Sequence, residues 1–388
     1  MRNISMKASK EIILSKKKMY QKATRKGKSL ILSGLQEAIG LSRKHLSRVL
    51  NGSYEYENCQ YKKSARGRKA KYNQEHTKIL VVLWQLLDYP CASRLKGSLK
   101  DTLDNLISCG HITISKSLYR DLMSISSATI NRLLKPERRT LDPFGIATTK
   151  PGSMLKKQIP IRRGTDWDDA IPGFVEIDLV AHCGSSTKGD YVNTLDCTDV
   201  KSGWTECYAV INKARTHTLN AMKAIQQRLP FPLKGVDSDN GSEFINQHFL
   251  YFAKEEDLVF TRSRPNRSND SCYVEQKNWS VVRQAVGYAR FEGQETVDLL
   301  NLFYEQLRLY NNFFKASQKL LKRERDGSKV SKKHDAATTP YRRLLLDPEL
   351  DDFDKQKLKD TFATLDVWQL RANMDSLLSK IHEFSIRY

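Results

Sequence analysis

The chain has 388 residues, 39% hydrophobic and 28% charged, with a net charge of +21. That is room for roughly two to four domains with ordinary soluble cores. The longest apolar stretch, Ile79 to Leu87, is about half of what a bilayer span needs. The first twenty residues lack a signal peptide's apolar region, so no membrane association is expected.

Charge is concentrated at the start. Residues 1–72 hold nineteen Lys and Arg against four Glu, so 19 − 4 = +15 of the total lies there. A basic amino-terminal part on a longer body reads as a polyanion-binding arm, and nucleic acid is the usual polyanion. A basic membrane-surface helix would need a strong apolar face, which residues 1–30 lack. The seven cysteines are scattered, with no Cys-x-x-Cys pair. An odd set of this kind suggests reduced thiols in a cytosol, and zinc-finger spacing is absent.

Residues 1–59 are expected to form a basic arm and a helix-turn-helix. Leu35, Ala38 and Ile39 give one buried face, Gly40 the turn, and Ser42 the cap of a second helix. Leu46, Val49 and Leu50 bury that helix, leaving Arg43, Lys44, Ser47 and Arg48 facing outward as candidate DNA contacts. Gly40-Leu-Ser42 and Leu46-Ser-Arg-Val49 resemble the helix-turn-helix of bacterial DNA-binding proteins, although Gln36 stands where that family has a small residue.

Residues 60–73 form a basic linker, and Arg66-Gly-Arg68 within it could lie along a minor groove. Residues 74–135 are helical by pattern and make a second helix-turn-helix-like domain. Ser126 or Ser127 would cap its last helix, Ile130, Leu133 and Leu134 would bury it, and Thr129, Asn131 and Arg132 would point outward. Residues 136–172 hold five prolines and read as an extended linker.

Residues 173–314 alternate in type. Strands are expected over 174–181, 191–199, 205–211, 234–239 and 258–263. Helices are expected over 218–229, 245–256, 272–287 and 294–314. Three strands, then helix, strand, helix, strand, helix is the order of a ribonuclease H-like α/β core, a mixed five-stranded sheet with helices on both faces. Residues 315–388 form a basic segment and a mainly helical carboxy-terminal region. Leu377, Leu378, Ile381 and Phe384 share a helical stripe that either packs on the core or meets a partner subunit.

Three carboxylates lie on different elements of this core. Asp178 is in the apolar strand Gly173-Phe-Val-Glu-Ile-Asp-Leu-Val-Ala-His182. Asp239 is at a strand end in Ser238-Asp-Asn-Gly-Ser-Glu-Phe244. Glu275 is on a helix in Ser271-Cys-Tyr-Val-Glu-Gln-Lys-Asn-Trp279. Helical spacing predicts that Glu275 and Asn278 face the site while Trp279 and Val282 pack. Three hard oxygen ligands brought together suit two Mg²⁺ or Mn²⁺ ions, which can drive in-line attack at a phosphodiester.

At these residues the sequence resembles the DDE integrase/transposase superfamily, which includes retroviral integrases and integrase-type transposases of bacterial insertion sequences. The resemblance covers roughly residues 173–292. It also takes in Arg264-Pro265, Asn269-Asp270 and Asn278. It implies that Asp178 bridges both ions, Asp239 completes one site and Glu275 the other. Arg262, Arg264, Arg267, Lys277 and Asn278 flank the site as candidate phosphate or DNA contacts.

The implied reaction nicks 3′ ends of a mobile element and joins them to target DNA. The partners are double-stranded DNA, both element ends and target, and further copies of the chain assembled on it. A bacterial, cytoplasmic, nucleoid-associated location follows. The alternative is a DNA-binding regulator, or a decayed transposase that binds ends without cutting.

Overall fold

The computed structural model describes residues 6–52, 71–141, 171–238, 243–244, 246–262 and 272–386. The chain forms two compact units, Met1–Lys71 and Tyr72–Tyr388. In the first, α1 (Met6–Lys22), α2 (Arg25–Ile39) and α3 (Arg43–Leu50) pack around Ile13, Tyr20, Leu32, Leu35, Leu46, Val49 and Leu50. Gly40 ends α2 in the left-handed region at φ 77°, which favours glycine. Ser42 then caps α3 by accepting from the His45 N–H. Leu32, and not the expected Ala38, completes the buried face of α2, and Ala38 is exposed.

The second unit opens with α4 (Gln74–Leu86), α5 (Ala92–Ser108), α6 (Lys116–Ser124), α7 (Ser127–Leu133) and α8 (Lys135–Leu141). Ser126 caps α7, while Ile130 and Leu134 are fully buried. The stretch read as extended thus begins as helix through Leu141, with Pro136 in the first turn, where no intrahelical N–H is required.

A five-stranded sheet follows, formed by β1 (Phe174–Ala181), β2 (Asn193–Asp199), β3 (Thr205–Val210), β4 (Gly235–Ser238) and β5 (Val259–Arg262). The spatial order is β3-β2-β1-β4-β5. The first three strands pair antiparallel, and β4 and β5 add in parallel. This is the expected mixed ribonuclease H-like sheet. On one face, α9 (Arg215–Gln226) and α10 (Gln247–Glu255) bury Val175, Ile177, Leu195 and Val236. On the other lies one helical segment made of α11 (Cys272–Lys277), a π-helical turn (Asn278–Arg283) and α12 (Gln284–Val286). The long helix α13 (Gln294–Phe314) packs beside it against β3.

The remainder departs from the expectation in one respect. Before the helices α14 (Pro340–Leu346), α15 (Asp352–Thr364) and α16 (Val367–Glu383) comes a two-stranded hairpin of β6 (Leu320–Asp326) and β7 (Lys329–His334). Helix α16 lies along α13, burying Met374 and Ile381 with Leu377 and Leu378 partly covered. Of the expected stripe, Ile381 thus packs on the core, Leu377 and Leu378 are partly covered, and Phe384 is exposed.

Helix α5 ties these pieces together with polar groups. Ser98 accepts from the Ala316 N–H (2.9 Å), and Asp101 accepts from Arg342 Nε (2.9 and 3.0 Å). Asn105 donates to Leu365 O (2.7 Å) and accepts from the Val367 N–H (2.9 Å). Gly97 lets the crossing segment approach. A Cβ there would sit 2.7 Å from the Ala337 carbonyl carbon and 2.9 Å from Ala316 Cβ. Gly97→Ala gains helix propensity but overpacks this crossing. We expect a net loss of about 1–3 kcal/mol, read as a lower urea midpoint at unchanged slope.

Candidate active site

Strand β1 alternates across the sheet. Val175 and Ile177 are buried against α9 and α10, with Leu179 partly covered there, while Glu176, Asp178 and Val180 face the opposite side. Two of those residues reach the helix that carries Glu275. Glu176 accepts from the Val274 N–H (3.0 Å), in the first turn of α11. Asn278 Nδ2 donates to Asp178 Oδ2 (2.5 Å), while the Leu179 N–H donates to Oδ1 (2.8 Å). Glu275 lies between these two anchors on α11, and its side chain is outside the described part of the molecule. Strand β4 ends at Ser238, the register partner of Ile177. Asp239 comes next in the chain and is also outside the described residues.

Asp196 was not among the expected site residues. It stands opposite Asp178 on β2, and directly opposed residues share a face. It is 0% exposed, and among the described residues it accepts only a long bond from Thr198 Oγ1 (3.3 Å) and its Oδ2 has no hydrogen-bond partner. Burial raises its pKa, the Lys277 ammonium opposes that, and the Asp178 charge adds to it. The sequence carried a signal: an acid at an alternation position inside the strand Asn193-Thr-Leu-Asp-Cys-Thr-Asp199. Lys277, a candidate phosphate contact, is half-buried. Its Nζ donates to Gly203 O (3.3 Å), and burial draws its pKa down.

The π-helical turn changes which side chains pack. It begins at Asn278, and its wider spacing turns Trp279 outward to 59% exposure while Val281 and Val282 are buried. Trp279 was expected to pack. Asn278 Nδ2 points at Asp178, while its Oδ1 has no hydrogen-bond partner among the described residues.

The remaining candidates divide as follows. Arg43, Lys44 and Arg48 are exposed on α3 and Ser47 is half-buried, with Arg43 donating to Ser33 Oγ (2.7 Å) and Ser29 O (3.3 Å) of α2. Asn131 and Arg132 are exposed on α7, and Thr129 beside them accepts from Arg132 (3.1 Å). Arg66, Arg68, Arg264 and Arg267 lie outside the described residues, as does the side chain of Arg262.

Among the described residues no three His, Cys, Asp or Glu side chains are grouped to hold a metal; this set excludes two of the three expected ligands. The neighbourhood of Asp178 nevertheless suits a hard cation. Asp178 itself is a carboxylate, and Asp196 Oδ2 and Asn278 Oδ1 are buried oxygens with no hydrogen-bond partner among the described residues.

Residues 169–268 match the integrase core domain family. The chain is also 36% identical over 342 residues to the uncharacterized protein y4rM of Sinorhizobium fredii, covering 88% of this chain and 96% of that one. The chain belongs to the DDE integrase/transposase family. Its core is therefore that of a polynucleotidyl transferase of the integrase kind. Solved structures that it resembles include the HTLV-2 integrase catalytic core domain in complex with magnesium, at 16% identity and TM-score 0.29, over 38% of this chain and 91% of that one. Another is a simian T-cell lymphotropic virus intasome, at 16% identity and TM-score 0.33, over 63% and 75%. The fold assignment rests on the strand order and pairing above.

One buried group at the end of β1 gives this integrase core a pH dependence. His182 is fully buried, hydrogen-bonded through Nε2 with Thr194 Oγ1 (2.8 Å), which also bonds Tyr304 Oη (2.7 Å). Burial, with Arg283 nearby, pushes its pKa down to about 3. Above the ordinary value of about 6.5 both states hold it neutral. Below that the unfolded chain takes up the proton first, so stability falls from about pH 6.5 towards about pH 3, by roughly 1.4 kcal/mol per unit. Urea midpoints measured across that window should show the loss, and His182→Gln should flatten it.

Proposed function

We propose that this chain is a transposase that binds the ends of its mobile DNA element, nicks their 3′ ends and joins them to target DNA. The observation that carries the reading is the double anchoring of α11 to β1, through Glu176 and through Asp178, on either side of Glu275. A catalytic carboxylate set needs its members on rigid elements held at fixed separation. Here a strand and a helix are tied at the positions concerned, and β4 ends one residue before Asp239.

In this reading Asp178, Asp239 and Glu275 hold two Mg²⁺ or Mn²⁺ ions. Ions held there would supply a lowered pKa for a water or a DNA 3′-hydroxyl and neutralisation of charge on the phosphate and its leaving oxygen. Asn278 fixes the orientation of the Asp178 carboxylate, and Glu176 holds the start of α11. Asp196 lies beside Asp178 on the same face, and burial favours its uncharged form. No side chain needs to attack the DNA: nicking hydrolyses a phosphodiester with water, leaving a 3′-hydroxyl and a 5′-phosphate, and joining exchanges one phosphodiester for another.

Recognition of the ends falls to the basic amino-terminal part. Arg43, Lys44, Ser47 and Arg48 on α3 present the outward face of a helix-turn-helix. Arg66, Arg68, Thr129, Asn131, Arg132, Arg264 and Arg267 are proposed as further DNA contacts. One chain offers one carboxylate set, so joining two ends calls for an even assembly of chains on DNA. Such a protein works where chromosomal DNA is, in the cytoplasm at the nucleoid.

With its own terminal repeats and Mg²⁺ or Mn²⁺, the purified chain should nick at the 3′ end and stop in chelator. Asp178→Asn, Asp239→Asn and Glu275→Gln should each abolish nicking while end binding by gel shift stays near wild type. Cleavage that persists in Asp239→Asn would refute the assignment. Arg48→Ala should instead weaken end binding and leave the fold unchanged.

Asn278→Ala separates positioning from ligation. It should raise the Mg²⁺ concentration needed for half-maximal nicking by roughly 10–100-fold, the usual cost of losing a group that orients a metal ligand. A saturating metal concentration should recover part of the rate, which it will not do for Asp178→Asn.

A further inference from the structure

The hairpin of β6 and β7 has no role in the carboxylate site, and the structure gives it an unusual character. Every described side chain from Leu320 to His334 is exposed, and neither face is covered by another element of the sheet. A two-stranded ribbon alone in water is marginal at best. This one holds six Lys and Arg against Glu324 and Asp326. Two successive rungs set cation opposite cation, Lys322 with Lys333 and Arg323 with Lys332. Like charges directly opposite each other on a ribbon are destabilising. Leu321 and Val330 add exposed apolar surface, at 63% and 41%.

The base of the ribbon, by contrast, is firmly rooted. Lys319 Nζ donates to Val200 O and Lys201 O, the turn between β2 and β3. Arg343 donates to Ser202 O (3.2 Å) in the same turn, and to Ser317 O (2.8 Å) and Asp335 Oδ2 (3.1 Å) at the foot of the hairpin. The Lys319 N–H is held by Asp335 Oδ1 (2.6 Å). Lys277, two residues past Glu275, reaches the same turn at Gly203 O.

We propose that this ribbon is a duplex-DNA-binding element that enters a groove of the DNA, its paired cations facing phosphates. Strands of this length reach about 20 Å, and the major groove, about 12 Å wide, admits a two-stranded ribbon. Cations set opposite one another across a rung repel in water and are relieved by a polyanion, and the Lys322–Glu324 ion pair (2.5 Å) offsets only part of that repulsion. Leu321 and Val330 are suited to thymine methyl groups. The root on the β2–β3 turn fixes the ribbon to the sheet that carries Asp178, so DNA gripped here is held in a set relation to that strand. This assignment rests on the reading of the chain as a DNA transposase, and it adds a contact that the helix-turn-helix does not supply.

The test uses the full chain and a duplex of random sequence, without element ends, so that end recognition does not mask the effect. The variant replaces Lys322, Arg323, Lys332 and Lys333 with alanine. Affinity is measured by fluorescence anisotropy between about 50 and 200 mM salt. We expect weaker binding and a shallower salt dependence, the slope falling by about 0.9 for each phosphate that the variant no longer neutralises. A variant in which the three lysines become arginine should bind like wild type. As a readout free of mutation, saturating duplex should protect residues 320–334 of the wild-type chain from trypsin.

A wild-type chain that binds duplex, with an alanine variant of equal affinity and slope and no protection from trypsin, would overturn the ribbon alone. A wild-type chain that binds no duplex would overturn the transposase reading and the ribbon with it. If the substitutions abolish binding to anionic phospholipid vesicles but leave duplex binding intact, the ribbon is a membrane contact and the assignment fails.

Discussion

The geometry of the carboxylate site depends on how β1 holds α11. A strand and a helix that merely pack can slide by a side-chain width, because apolar contact is non-directional. Glu176 and Asp178 remove that freedom, since each makes a hydrogen bond of fixed direction to the helix, one at Val274 and one at Asn278. Both bonds involve a carboxylate, and charge-assisted bonds are shorter and stronger than neutral ones. Glu275 is carried between them. The π-helical turn that begins at Asn278 belongs to the same arrangement: it brings Val281 and Val282 inward below the anchored residue and leaves Trp279 in solvent.

The floor of the site is more polar than a sheet interior usually is. Thr194, Asp196 and Thr198 follow one another on the Asp178 side of β2, all buried. Thr198 bonds both Asp196 and Thr205 (3.3 and 3.2 Å), and Thr194 bonds His182 and Tyr304. Such networks are costly when any member is unsatisfied. Asp196 Oδ2 and His182 Nδ1 are both in that state. The protein meets the cost by shifting each group towards its uncharged form. This buried polar strip lies beside Asp178 on the same face of the sheet.

Much of this was legible in the sequence because the sheet obeys simple patterns. Apolar alternation in Phe174–Ala181 located β1 and the face of Asp178, and each of the five strands was found to within two residues at either end. Gly40 and Ser42 located the turn and cap of the first unit. What escaped was structure set by distant partners. Leu320–His334 has a charged, aperiodic sequence, and only the pairing of one half with the other makes it strand. Ser98, Asp101 and Asn105 form one stripe of α5 that reads as a solvated face, yet it is buried because residues beyond 315 bond to it. Asp196 looked like any strand acid until its register opposite Asp178 was known. The three carboxylates stand in recognisable local motifs, while Asp239 and the side chain of Glu275 lie outside the described residues.

Arg290 ties the two ends of the catalytic unit to one another. Its buried guanidinium donates to Ser186 O (2.7 Å), Lys188 O (2.7 Å), Asp190 O (3.2 Å) and Cys183 O (3.3 Å), so one side chain shapes the loop between β1 and β2. Its own carbonyl accepts from the Ile386 N–H (3.0 Å). The sheet is complete in sequence by Arg262, but the residue that orders its first loop is itself closed off by chain emerging more than a hundred residues later. During synthesis the strands leave the ribosome well before α16 and Ile386 can cover α13. A nascent chain therefore carries its carboxylate strands in an unfinished unit, and the finished one forms only after nearly all of the polypeptide has been released. Ordering of the integrase-type core is thereby postponed until long after the helices of the first unit, α1 to α3, have been made.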